Sequence, residues 1–223
     1  MMRLLAIDTS TWWGGAALVE TSAGGPRLVA EIGLGVDDSH AAHALAIVEA
    51  LLSVAGWPKS SLDAYVAARG PGSFTGIRVA MGLARGLGLA SGRPCLGVGT
   101  LDAMAEAFGP APHDRVPLLD AGRGEVYGAR FDPASTPPCA LSEPWVAAPE
   151  TALDGGASVV FGPGAERHAT ALRAAGYRDP IGRGATSVAA GAARIAARLR
   201  ADAGDVDFTP LYVRPPDAKL PRP

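Results

Sequence analysis

Cysteine, aromatic residues and charge are all scarce in this chain. Its 223 residues include two cysteines, Cys95 and Cys139. That is too few for a disulfide framework and suits a reducing compartment, where both read as packed or incidental rather than reactive. Charged residues make up 19% and the net charge is −2, which excludes the markedly basic character of a protein that grips nucleic acid unaided. No uninterrupted apolar stretch approaches the roughly 20 residues of a membrane span. The early run Leu4-Leu5-Ala6-Ile7 is cut by Asp8 before it could form a signal-peptide core, so the expected location is the cytoplasm. No Ser, Cys or Lys stands in a recognisable nucleophile setting, and no His-Glu-x-x-His occurs. What the chain does have is apolar content, at 48%. That marks a folded protein, long enough for one domain or two small lobes.

Strand and helix signals alternate along the chain. Residues 4–8 read as a strand, 15–20 as its hairpin partner and 27–35 as a third strand. Asp37, Asp38 and Ser39 are N-cap candidates for a helix over 40–55, closed by Gly56 and Pro58. A buried strand over 63–68 leads into a Gly-Pro-Gly turn and a helix over 76–90. A strand over 95–98 and a helix capped by Thr100 and running to Phe108 follow. Gly109-Pro110-Ala111-Pro112-His113 is a composition break that reads as a linker. Beyond it the pattern restarts: a strand over 116–120 ending in Asp120, the turn Ala121-Gly122-Arg123-Gly124, and a strand over 125–131. Val159-Val160-Phe161-Gly162-Pro163-Gly164 then echoes Ala67-Ala68-Arg69-Gly70-Pro71-Gly72. A degenerate internal duplication accounts for this and predicts two α/β lobes with mixed sheets. An Ala-rich helix over 186–203 is expected to pack back between them.

Two turns carry candidate chemistry. Gly70, Gly72 and Ser73 sit between a strand and a helix, where converging backbone N–H groups and the helix dipole can hold an anion, although such turns are usually only tight turns. Arg69 and Arg78 flank them. Asp8, Thr9 and Ser10 follow the first strand, and an Asp with hydroxyls there could hold Mg²⁺ and meet phosphate. Bulk at Thr11, Trp12 and Trp13 favours a capped hairpin turn instead. Asp120, beside Gly122, Arg123 and Gly124, carries the same ambiguity.

The helices over 40–55 and 76–90 are apolar on too many faces for an ordinary surface helix. The first holds one charged residue, Glu49, and its Leu45, Ile47, Val48, Leu51, Leu52 and Val54 wrap most of the circumference. Around the second run Ile77, Val79, Met81, Leu83, Leu87 and Leu89, with Arg78 and Arg85 on one edge. Gly82, Gly86 and Ala90 recur every four residues and cut a flat groove, although each helical Gly costs about 1 kcal/mol against Ala. Either both helices are sealed inside one lobe, or they are covered by the sheet below and by another subunit above.

The string Arg69-Gly70-Pro71-Gly72-Ser73-Phe74-Thr75-Gly76-Ile77-Arg78 closely resembles the Gly-Pro-Gly-Ser-Phe-Thr-Gly-[Leu/Ile]-Arg motif of the TsaB (YeaZ) family. Leu119-Asp120-Ala121, Gly124-Glu125-Val126-Tyr127 and Pro210-Leu211-Tyr212-Val213-Arg214-Pro215 extend the likeness over most of the chain. The resemblance implies a two-lobed actin-like ATPase fold (ASKHA, RNase H-like) with a reduced second lobe. It places one lobe at 1–108, completed by 186–214, and the other at 115–185. It also implies a catalytically inert subunit that pairs with the paralogue TsaD through a four-helix seam. With the ATPase TsaE, that pair transfers threonylcarbamoyl to the adenosine beside the tRNA anticodon. The seam would use His40, His43, Ala44, Ile47, Leu51, Arg78, Met81, Gly82, Arg85, Gly86 and Leu89. ATP, Mg²⁺ and a metal would sit on the partners, tRNA would be met only through the complex, and the chain alone could homodimerise. The paralogue holds its metal with two histidines four apart; here His40 aligns with one and Ala44 stands at the other. His43 is three residues on, while His113 and His168 lie in unrelated segments, so no metal site is expected. The rival readings are a small-molecule kinase or ATPase of the same fold, and a stand-alone homodimer.

Overall fold

The apolar runs become strands buried on both faces. The computed structural model describes residues 1–35, 41–152, 158–177, 187–199 and 206–214. β1 (Arg3–Asp8) is the middle strand of a five-stranded sheet. It pairs antiparallel with β2 (Trp13–Ser22), and β2 pairs antiparallel with β3 (Gly25–Gly35). On its other side it runs parallel to β4 (Ala64–Ala68), which runs parallel to β5 (Cys95–Val98). Leu5, Ile7, Ala16, Leu18, Tyr65 and Ala67 face α1 (Ala41–Ala55) and α2 (Phe74–Ser91). Leu4, Ala6, Ala17, Val19, Ala64 and Val66 face the opposite way, towards α6 (Val188–Arg198), on which α3 (Thr100–Phe108) packs in turn. A strand covered on both faces has no polar side, which is why these segments read as unbroken apolar runs.

The second half repeats the plan in shortened form. β6 (Asp114–Gly122) pairs antiparallel with β7 (Glu125–Gly128) and parallel with β9 (Ser158–Phe161). β7 pairs in turn with the short β8 (Trp145–Ala147). The order β8-β7-β6-β9 matches β3-β2-β1-β4 strand for strand, and among the described residues no strand stands as the counterpart of β5. The fold is therefore a duplicated α/β architecture with two mixed sheets and a reduced second unit. α4 (Pro163–Arg167) and α5 (Ala169–Ala174) cover one face of the second sheet through Ala165 and Leu172. α6 (Val188–Arg198) returns to the first sheet and packs along α3, burying Ala192, Ala193 and Ile195 with Met104, Leu119 and Phe161 in one shared core. Phe108 stacks on Phe161 with centroids 4.1 Å apart, tying α3 to β9.

Arg115 fixes the junction between the two units, a role with no signal in the sequence pattern. It lies on β6 at 1% exposure. Its guanidinium donates to the carbonyls of Ala105 and Gly109 at 3.0 and 3.1 Å and of Asp132 and Ser135 at 2.7 and 2.8 Å. The end of α3, the start of the 109–113 connection and the 132–135 loop are thus pinned to one planar fork.

Several boundaries differ from the sequence expectation. The hairpin strand begins at Trp13 rather than residue 15, because β3 offers bare glycines as a floor for tryptophan rings. A Cβ on Gly33 would lie 2.6 Å from Trp13 Nε1, and one on Gly35 would lie 2.9 Å from the Trp12 ring; aromatic cover of edge-strand glycines of this kind pins register. Thr100 is the first residue of α3, not its cap. Gly99 holds the cap position, and the Thr100 hydroxyl donates to Ser10 Oγ at 3.3 Å. The strand expected over 125–131 leaves its ladder at Gly128, where the Trp145 ring occupies the space a Cβ would need, and Phe131 turns away to bridge Arg115. Asp37, Asp38, Ser39 and His40, with Thr186 and 200–203, lie outside the described residues.

Arg115→Ala should lower unfolding stability by about 3 kcal/mol, because one buried and three partly buried carbonyls lose their charged donor. Urea denaturation of the two proteins would measure it, and a loss below 1 kcal/mol would show that the fork is dispensable.

Candidate functional site

The two sequence-predicted turns meet backbone to backbone. Ser73 N donates to Ser10 O at 2.7 Å, and Thr9 Oγ1 donates to Gly76 O at 2.5 Å. A Cβ on Gly72 would stand 2.3 Å from Ser10 O, and one on Gly76 1.7 Å from Thr9 O. Only glycine permits either approach. Ser73 caps α2 by accepting from Gly76 N at 3.2 Å, so this first-turn amide is satisfied by its own chain. Gly70 is buried beneath the carbonyl of Leu211. Arg69 is engaged as well, with Nη2 2.7 Å from Asp207 Oδ2.

Asp8 is fully enclosed at 1% exposure. Its Oδ1 accepts from Ser10 N at 2.8 Å and from Ser10 Oγ at 2.5 Å, closing the Asp8–Ser10 turn on itself. Burial raises its pKa from 3.8 to about 6, against the lowering effect of the two Ser10 hydrogen bonds. Its counterpart Asp120 is half-buried and takes Arg167 Nη1 at 3.0 Å on one oxygen and His168 Nε2 at 3.2 Å on the other. Each acidic group of the duplicated strand–Asp–turn unit is therefore occupied by its own chain.

A cleft of about 710 Å³ opens between the two units. Ser10, Trp12, Gly72 and Ser73 line one wall, and Asp120, Tyr127 and Arg167 belong to the other. Asp8, Thr9 and Gly70 lie buried outside its lining. Among the described residues, no group of three or more His, Cys, Asp or Glu side chains could hold a metal ion.

The helix pair divides into an inner and an outer face. Ala44 and Leu51 of α1 and Met81 of α2, expected on the partner-facing surface, point into the core with Val48, Ile77 and Ala84. They lie one helical turn from exposed neighbours but on the sheet side, so they serve packing instead. Ile47 and Arg85 are half-buried, and the Arg85 guanidinium lies 4.8 Å from the Phe208 ring centroid. His43, Arg78, Gly82, Gly86 and Leu89 are exposed. Positions 82 and 86 are open: a Cβ at either would meet nothing within 4 Å. Sequence reasoning missed Leu45 and Val54 on α1, and Phe74 with Tyr212 at the start of α2, as exposed large apolar side chains. Leu45 and Val54 could have been found, since both fall off the stripe that faces the sheet.

The family model described as "TsaD: tRNA N6-adenosine threonylcarbamoyltransferase" matches residues 31–156, more than half of the chain. The chain is 37% identical over 132 residues to the tRNA threonylcarbamoyladenosine biosynthesis protein TsaB of Escherichia coli (strain K12), covering 58% of this chain and 55% of that protein. It is 32% identical over 126 residues to the protein of that name from Bacillus subtilis (strain 168), covering 56% and 53%. The matched stretch thus spans about half the length of these curated relatives. Among solved structures, YeaZ from Pseudomonas aeruginosa is similar over 95% of this chain and 100% of its own, with a TM-score of 0.75 and 26% identity.

Asp8 has a pH-dependent consequence. The native state holds its proton up to about pH 6, whereas an unfolded Asp loses it near 3.8. The stabilising contribution is complete below that lower value and is lost as pH rises through the upper one. Asp8→Asn keeps an oxygen acceptor for both Ser10 bonds and removes the buried charge. It should be more stable than the parent at pH 7.5 by about 2–3 kcal/mol, with the gap closing below pH 4. Urea titrations at both pH values test this, and an equal gap at both would contradict it.

Proposed function

The chain belongs to the TsaB (YeaZ) family, within the wider TsaD-type family, and on that premise we propose that it is a non-catalytic subunit in the biosynthesis of threonylcarbamoyladenosine in tRNA. It docks on TsaD through the outer face of α1 and α2. The observation that carries this reading is the open positions Gly82 and Gly86 on α2, with Leu89 of the same helix at 76% exposure and Val54 of the adjacent α1 at 80%. Two adjacent helices that keep large apolar side chains in water, while their other faces are fully packed, form an association surface. Among the described residues no contact at either glycine offsets its helix cost, whereas a partner helix could approach there closely.

The internal engagement of Asp8 and Asp120 supports the inert-subunit part. Neither carboxylate is left free to hold Mg²⁺, and an amide of the glycine loop is bonded to Ser10 rather than open to an anion. ATP, Mg²⁺ and any metal then reside on TsaD and the ATPase TsaE, tRNA is met through the assembled complex, and the chain acts in the cytoplasm. A homodimer formed through α1 and α2 would compete with TsaD for one surface. No described helix is long and apolar enough to cross a membrane. The second reading, a kinase or ATPase, draws on the 710 Å³ cleft. Calorimetry with Mg·ATP on the isolated chain separates the two, since saturable binding with turnover would favour the enzyme.

Gly82→Leu or Gly86→Leu should abolish co-purification with TsaD. Either should leave the monomer folded and up to about 1 kcal/mol more stable, because the new side chain meets open space and improves helix propensity. Retained co-purification would refute docking through this groove.

A further inference from the structure

Residues 206–214 form no helix or extended strand, yet they meet one element after another. Val206 runs parallel beside Leu96 at the edge of the first sheet, donating to Cys95 O at 3.3 Å and accepting from Gly97 N at 3.0 Å. Asp207 pairs with Arg69 at 2.7 Å, and the half-buried Phe208 packs against the core beside Arg85 of α2. Leu211 N donates to Arg69 O at 2.7 Å, and its carbonyl fills the space beside Gly70. The Tyr212 ring lies 5.3 Å from that of Phe74, and its hydroxyl accepts from Arg78 Nε at 3.2 Å. Arg214 then crosses to the second unit. Its Nη1 donates to Ala121 O at 3.0 Å, its Nη2 bonds the Glu125 carboxylate, and its guanidinium lies 5.9 Å from the Tyr127 centroid.

Ordering nine irregular residues costs about 1–2 kcal/mol each in backbone entropy. Capping the free edge of β5 would need only the first of them. The remainder runs from Arg69, Gly70 and Phe74 of the first unit to Ala121 and Glu125 of the second. Ala121 and Tyr127 line one cleft wall; Gly72 and Ser73, beside the Arg69 and Phe74 that the segment grips, line the other. We propose that residues 206–214 are an interlobe latch, which holds the second-unit wall of the cleft to the N-terminal end of α2 so that loosening either end loosens the other. The latch is a property of the chain alone and does not depend on the identity of a partner.

Hydrogen exchange read by mass spectrometry on the full chain tests it. Arg214→Ala should speed exchange of amides in 119–128 by about tenfold, the size expected for losing hydrogen bonds to a charged group, while β1 and β4 stay as protected as in the parent. Tyr212→Ala removes contacts at the α2 end only, and it too should speed exchange in 119–128. Unchanged exchange there in Arg214→Ala would overturn the latch. So would a Tyr212→Ala effect confined to 69–78, and so would loosening that reached β1 and β4 equally, which would mark a general loss of stability.

Discussion

Two backbone segments touch where side chains normally hold backbones apart. The loop that opens α2 lies directly on the turn that ends β1, joined by Ser73 N to Ser10 O and Thr9 Oγ1 to Gly76 O, with Gly72 and Gly76 stripped of side chains so that it fits. This contact sets the height and direction of α2 over the sheet, and α1 packs beside it. It also consumes groups that a phosphate would need. The Asp8 carboxylate is folded back on Ser10 and the Ser73 amide is bonded to the turn.

From that placement follows the division of labour across the helix pair. The inner faces carry Val48, Leu51, Ile77 and Ala84 into a core with Leu5, Ile7 and Leu18, and these residues account for lobe stability. The outer faces carry exposed Leu45, Val54 and Leu89, with glycines at 82 and 86 where a Cβ would meet nothing within 4 Å, and none of these fills the monomer's core. The second unit, one strand smaller among the described residues, supplies the far wall of the cleft and is bound to the first through Arg115, the α3–α6 core and residues 206–214.

Much of this was legible in the sequence because it rests on local rules. Strands buried on both faces read as apolar runs, the Gly-Pro-Gly turn marked the start of α2, and the echo of Val159–Gly164 on Ala67–Gly72 pointed to duplication. What stayed hidden depends on partners distant in the chain. Nothing around Arg115 announces that its guanidinium will meet carbonyls at 105, 109, 132 and 135. Thr100 looks like a cap, yet Gly99 precedes the helix. Periodicity flagged both helices as too apolar on every side, but it could not separate Ala44, Leu51 and Met81, which pack inward, from Leu45, Val54 and Leu89, which do not. The adjacent tryptophans became intelligible only when β3 was seen to run beneath them.

The central claim is that this chain contributes a surface and no chemistry. Threonylcarbamoyl transfer to tRNA, reconstituted with TsaD and TsaE and either this chain, its Asp8→Asn/Asp120→Asn double variant, or neither, tests it most directly. The account predicts that parent and double variant support equal transfer and that omission abolishes it. Collapse of transfer with the double variant, while it still binds TsaD, would contradict the claim and place a working nucleotide site in the cleft.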